Sequence, residues 1–227
     1  MRAIITRHYK TITNASNRIL GWGDSPRNSD WEADVNFVDD CLRKHEIRFD
    51  AVYSSVLERS RRTAMIHARH HGIHIIHDSP ALNEVNYGEL YKKEKKWVAA
   101  HYPQHKKDPD FVYPGGESFR QMQERSINYL TSLAVSHPLQ TVLIVAHAGV
   151  IRGLVSHFLG LDYAGNLKRK ISHRYIGDFL FDGSTCVRYD ELGKSSGFVG
   201  DGAIEIPCYT VTGNVPLIPA AAPSQAV

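Results

Sequence analysis

Arg7 and His8 close the short apolar run Ala3-Ile4-Ile5 near the head of the chain. A guanidinium group and an imidazole delivered together suit an anion, and a neutral imidazole is also a nucleophile. Three other apolar runs end in groups of matching chemistry. "YSSVLERSRRTA" carries Arg59, "ALNEVNYGE" carries Glu84, and "VLIVAHAGVIR" carries His147. Arginine presents planar, permanently charged forks to phosphate oxygens. A second imidazole is redundant for binding alone, so one of the pair can attack phosphorus and be regenerated by water. A carboxylic acid near the leaving oxygen supplies its proton. The cations themselves meet the charge of the transition state, so this set needs no metal.

Such groups act together only if the chain folds their segments to one edge. In open α/β sheets, sites form beyond the carboxyl ends of the strands. The pattern supplies the elements. Phe49–Tyr53 reads as a strand, Ile73–Ile76 as another, and Thr141–Ala146 ("TVLIVA") as a buried parallel strand, short, continuous and β-branched. Late strands are expected over Ile176–Phe181 and Thr185–Tyr189. Helices are expected from Asp30, with Trp31, Val35, Val38 and Leu42 at helical spacing, over Ser55–His71, and over Gly149–Leu159. Another is expected over Glu117–Val135, with Phe119, Met122, Leu130, Leu133 and Ala134 inward, after the break Pro114-Gly115-Gly116. The stretch 92–107 is read as helix, then loop. This alternation predicts a three-layer α/β/α sandwich with a mostly parallel sheet. Residues 1–215 are expected to form a single domain, and the Pro- and Ala-rich 216–227 a mobile tail.

In this order the segments resemble the histidine phosphatase superfamily, in its phosphoglycerate mutase-like branch. Arg7-His8, "SSVLERSRRTA", "LNEVNYGEL", "PGGESF" and "VAHAGVIR" follow the family's order over residues 1 to about 160. Arg-His alone is a weak motif; the five together are specific. The resemblance implies that His8 is the phosphorylated nucleophile. Arg7, Arg59 and His147 would bind the phosphoryl group, and Glu84 would be the proton donor. The loop "NASNRILGWGDSP" resembles the mutases' phosphate-side loop, which implies a phosphate contact for Asn14 and a place near the substrate for Gly21.

Two departures matter. The family usually has Gly-Glu after Arg-His, and this chain has Tyr9-Lys10. If that position needs a positive φ, tyrosine is strained there. The mutases place Arg after the acid, where this chain has Val85, although Tyr87 and Lys95 keep the mutase spacing. The mutases also carry a longer insertion before the second histidine, whereas 63 positions (147 − 84) separate Glu84 from His147 here. A mutase must exclude water from a bisphosphorylated intermediate, whereas a phosphatase admits it. The shorter cover therefore favours a phosphatase acting on a small phosphorylated substrate, ahead of a 2,3-bisphosphoglycerate-dependent mutase. An inactive binder of phosphorylated ligands ranks third, since a binder has no use for Glu84.

Composition bounds the rest. A net charge of +3 gives no footprint for nucleic acid. No apolar run is long enough for a membrane span, and the N-terminus does not read as a signal peptide. Cys41, Cys186 and Cys208 are odd in number and scattered, so no disulfide framework or zinc site is expected and the compartment is read as cytoplasm. "HARHHGIHIIH" invites a metal reading, but His67, His70 and His71 beside Arg69 read better as a solvated helix face. "YKKEKK" reads as a solvated face or a basic lid. Glu89 and Glu117 are secondary candidates for the acid, and Arg61 and Arg62 read as surface. A homodimer through the late strands is compatible with the pattern and not required by it.

Overall fold

The computed structural model describes residues 1–193, apart from 168, together with 204–205. In chain order the elements are β1 (Arg2–Arg7), α1 (Ile12–Ala15), α2 (Trp31–Lys44), β2 (Ala51–Ser54), α3 (Glu58–His70) and β3 (Ile76–Asp78). Then come α4 (Lys95–His101), α5 (Phe119–Ser136), β4 (Thr141–Ala146), α6 (Ala148–Phe158), α7 (Tyr163–Leu167), β5 (Ile176–Asp182), β6 (Thr185–Glu191) and β7 (Ile204–Glu205). The sheet order is β3-β2-β4-β1-β5-β6-β7. The first four strands run parallel, and β5, β6 and β7 add antiparallel.

Side-chain alternation builds the three layers. On β1 and β4, Ala3, Ile5, Val142, Ile144 and Ala146 face α5 and α6, where Met122, Leu130, Ile151 and Leu154 pack on them. Ile4, Leu143 and Val145 face the other way, onto Val38 and Leu42 of α2 and Ala64 and Ala68 of α3. Both faces of β4 are covered, which is why its sequence is apolar at every interior position. Burial of each Val, Leu, Ile or Met side chain among these contributes about 1.5–3 kcal/mol. The layered α/β fold is therefore as expected. No helix among the described residues is long and apolar enough to cross a membrane.

Several boundaries differ from expectation. The second strand is Ala51–Ser54, and Phe49 instead packs under α3, its ring 5.4 Å from His71. The third strand is not Ile73–Ile76 but Ile76–Asp78, an exposed edge. Gly72, at φ +66°, ends α3, and the Ile73 N–H caps the Ala68 carbonyl at 2.8 Å. Ile73 is thus the apolar plug of a helix terminus rather than a strand residue. Of the basic stretch 92–107, Lys95–His101 forms the α-helix. The expected end of the domain at 215 and the tail 216–227 lie outside the described residues, as does Cys208.

The histidines of α3 are the main correction to the surface reading. His67 and His70 bond Asp39 of α2 through Nδ1 at 2.7 and 2.6 Å, and His71 through Nε2 at 3.0 Å. Asp39 is wholly buried, and a buried carboxylate requires donors. Burial pushes the Asp39 carboxyl up, but the hydrogen bonds from His67 and His71 prevail and hold it well below the usual carboxylate range. Helical spacing showed that the imidazoles share a face, but not that α2 would present a carboxylate to it.

Candidate active site

β1 and β4 are neighbours with Arg7 paired to Ala146, so His8 and His147 leave the sheet side by side, their ring centroids 5.0 Å apart. The His8 Nδ1 lies 2.6 Å from the Tyr9 carbonyl. A carbonyl can only accept, so Nδ1 carries the proton and the lone pair of the neutral ring is on Nε2. Arg59 donates its Nε–H to that Nε2 at 3.2 Å. Burial first, then Arg59, His147, Arg7 and His173, push the His8 pKa well below 6.5. The ring is neutral at physiological pH, with its unprotonated nitrogen among cations.

Arg59 comes from the first turn of α3 and is 2% exposed. Its Nη1 and Nη2 donate to the carbonyls of Gly23 and Gly21 at 2.8 and 2.6 Å. One side chain therefore ties His8 to the 21–23 loop. Gly21 has φ +54°, and a Cβ there would lie 3.1 Å from both Tyr87 and the Val85 carbonyl, so the close approach calls for glycine. Arg7 donates to the Ile171 carbonyl at 2.6 Å, and its Nε has no partner. Burial lowers the pKa of Arg7 and of Arg59 to about 10, with Glu84 opposing in both cases. Both stay charged.

His147 occupies the position just before α6 and is fully buried. Its Nε2 lies 2.6 Å from Ser55 Oγ, and its Nδ1 is buried without a partner. Burial, then Arg59, Arg7 and Arg125, push its pKa down as well. Glu84 faces the same helix start: its Oε2 accepts from the Gly149 N–H at 3.2 Å and its Oε1 from Val85 N–H at 3.0 Å. Trp22 Nε1 and Arg125 Nη2 donate to the Glu84 carbonyl at 2.6 and 3.0 Å, holding the residue's main chain.

The structure thus gathers Arg7, His8, Arg59, Glu84 and His147. Asn14 stands apart. Its Oδ1 accepts from the Thr11 N–H at 3.3 Å and Thr11 Oγ1 accepts from the Asn14 N–H at 3.2 Å, a reciprocal cap for α1. Only its side-chain amide is left for an anion. Glu117 is paired with Arg125 at 2.7 Å, and Glu89 is exposed. Val85 packs in the core, so no cation stands beside Glu84 at that position. The pKa of the Lys95 ammonium is lowered by burial, then by the charges of Arg7 and Arg152.

Tyr9 is accommodated without strain, because its φ is not positive. Its N–H donates to Thr63 Oγ1 at 3.0 Å, and its ring, 3% exposed, meets Trp31 edge-on at 5.9 Å. Sequence reasoning missed Arg125 and His173. Arg125 reaches back from α5 to the Pro80, Ala81 and Glu84 carbonyls, and nothing local in the sequence marks such a contact.

The sequence model of the histidine phosphatase superfamily, branch 1, matches residues 3–187. The chain belongs to this superfamily. Two relatives of the chain are named for different reactions. It is 33% identical over 170 residues to a metal-independent phosphoserine phosphatase of Arabidopsis thaliana, covering 72% of this chain and 71% of that one. It is 29% identical over 178 residues to a phosphoglycerate mutase of Schizosaccharomyces pombe, covering 74% and 84%. Among solved structures, Bacillus stearothermophilus YhfR superposes with a TM-score of 0.72 at 25% identity, over 82% of this chain and 93% of that one.

Proposed function

We propose that the protein is a phosphomonoester hydrolase working through phospho-His8. The observation that carries this reading is the one unprotonated nitrogen of His8. Its Nδ1 is committed to the Tyr9 carbonyl, and its Nε2 lies against Arg59. His8 Nε2 attacks phosphorus in line as the bond to the ester oxygen breaks, and Glu84 protonates that oxygen as it leaves. Arg7, Arg59 and the free Nδ1 of His147 hold the phosphoryl oxygens, and the α6 N-terminus adds its dipole. Water then attacks the phosphohistidine, the Glu84 carboxylate takes its proton, inorganic phosphate leaves, and neutral His8 returns. The two guanidinium groups supply the positive charge, so no metal is invoked. The substrate is a small phosphorylated molecule, and the scattered cysteines favour a cytoplasmic site of action.

A phosphoglycerate mutase is the second reading, supported by the yeast relative and by Lys95, which keeps the mutase spacing. The apolar Val85 beside the acid weighs against it. The test is hydrolysis of an aryl phosphate in chelator by wild type and His8→Ala. Turnover with an acid-labile phosphoenzyme, both lost in the variant, supports the phosphatase. An inert wild type that interconverts phosphoglycerates on addition of 2,3-bisphosphoglycerate supports the mutase instead.

A further inference from the structure

A third imidazole lies against the nucleophile, and neither the resemblance nor the proposed mechanism uses it. His173 precedes β5, and its ring meets the His8 ring edge-on at 5.5 Å. Its Nδ1 is 2.8 Å from the His8 carbonyl. Since the carbonyl can only accept, Nδ1 carries the proton.

The sheet explains why this carbonyl needs a side-chain donor. The His8 N–H continues the parallel ladder, donating to Ala146 O at 3.1 Å. The next rung of a parallel ladder would bring the Ala148 N–H to the His8 carbonyl. Ala148 is the first residue of α6, and that rung is not made. The antiparallel ladder on the other side has already ended at Thr6 and Ile176. The same peptide unit has a second anchor, because its N–H, that of Tyr9, donates to Thr63 Oγ1 at 3.0 Å. The peptide that follows the nucleophile is thus held at its oxygen by His173 and at its hydrogen by Thr63.

We propose that His173 is a positioning residue for the nucleophile: by donating Nδ1–H to the His8 carbonyl it replaces the missing rung and fixes the main chain from which the imidazole is presented to phosphorus. This role rests on the phosphatase reading of His8. The charge state of His173 fits it. Burial, then Arg7, with Lys10 and Lys95 adding to the effect, lower its pKa to about 3 against the opposing bond to His8. A neutral ring donates this bond without placing another charge beside the two arginines.

The test compares His173→Phe, which keeps a ring and loses the donor, with His173→Asn, whose side-chain amide can donate from a similar position. Two readouts are taken on the full-length protein. One is single-turnover phosphorylation of His8 by an aryl phosphate, with KM and the pH profile. The other is hydrogen exchange at the Tyr9 amide, which needs no activity. His173→Phe is expected to slow phosphorylation by roughly ten- to a hundredfold, the range for a misplaced reacting group, with KM little changed. It should also speed exchange at Tyr9. His173→Asn should restore both and leave the pH profile unaltered. Wild-type behaviour of His173→Phe would overturn the proposal. So would a His173→Asn variant as impaired as His173→Phe, because the imidazole itself would then be required. If the wild type transfers no phosphoryl group to His8, the phosphatase reading fails, while the exchange measurement still decides the positioning role.

Discussion

Gly149 offers a way to move the proposed acid without touching it. It is the second residue of α6, and its N–H bonds Glu84 Oε2. A Cβ at this position would lie 2.1 Å from Glu84 Oε1 and 3.3 Å from Val85 Cγ2. Ordinary contact begins near 3.4 Å, so in Gly149→Ala the carboxyl group must retreat by more than an ångström. The backbone has no objection, since Gly149 does not have a positive φ and alanine is favoured over glycine in a helix by about 1 kcal/mol. Stability and activity should therefore separate. A displacement of about 1 Å costs on the order of a hundredfold in rate, or about 2.7 kcal/mol of barrier. The loss should fall on alkyl phosphates, whose leaving oxygen must be protonated, and be much smaller for an aryl phosphate with a good leaving group. The assay is kcat for both substrate types, with Tm measured alongside. An unchanged kcat on the alkyl ester, at an unchanged or raised Tm, would refute the assignment of Glu84 as the acid.

Three further outcomes are expected. Because burial and its cationic neighbours lower the His8 pKa, the proposed nucleophile stays deprotonated into the acid range, and the acid limb of kcat/KM should lie below pH 6.5; a limb at or above that value would contradict the environment described for His8. Arg59→Lys removes the fork that bonds the Gly21 and Gly23 carbonyls together with His8. It should raise KM and lower Tm, at about 1–3 kcal/mol for each buried acceptor left unpaired, and unchanged thermal unfolding would remove Arg59 as the loop's anchor. Asp39→Asn should destabilise the α2–α3 contact by about 2–3 kcal/mol, read by denaturant unfolding at pH 7. The Asp39 carboxyl is held below its unfolded value, so this contribution is present above the unfolded carboxylate pKa and fades as pH falls through the folded one. The difference between wild type and variant should shrink in acid; a constant gap would mean that the charge is not what matters.

The opening strand, the apolar "TVLIVA" and the spacing of Arg7, His8, Arg59, Glu84 and His147 were legible because each is local. A buried parallel strand must be apolar along its length, and a group at its exit must come next in the chain. The same locality misled at Ile73, where an apolar residue after a glycine served a helix cap, and at His67, His70 and His71, whose partner lies on another helix. It also left open whether Tyr9 is strained, since φ at one residue depends on where the neighbouring carbonyls and Thr63 fall.

By itself, the sequence determined the layered α/β architecture, the membership of the family and the identity of the chemical groups. Periodicity and motif order are properties of the chain, and they survive without knowledge of distance. Only the tertiary structure decided which nitrogen of His8 is unprotonated, which carbonyls Arg59 holds, and that Arg125 and His173 reach the Glu84 and His8 carbonyls from α5 and from the approach to β5. Those contacts join residues 41 and 165 positions apart. A hydrogen bond requires its partners within a few ångströms, and only the packed sheet and helices bring such distant residues that close.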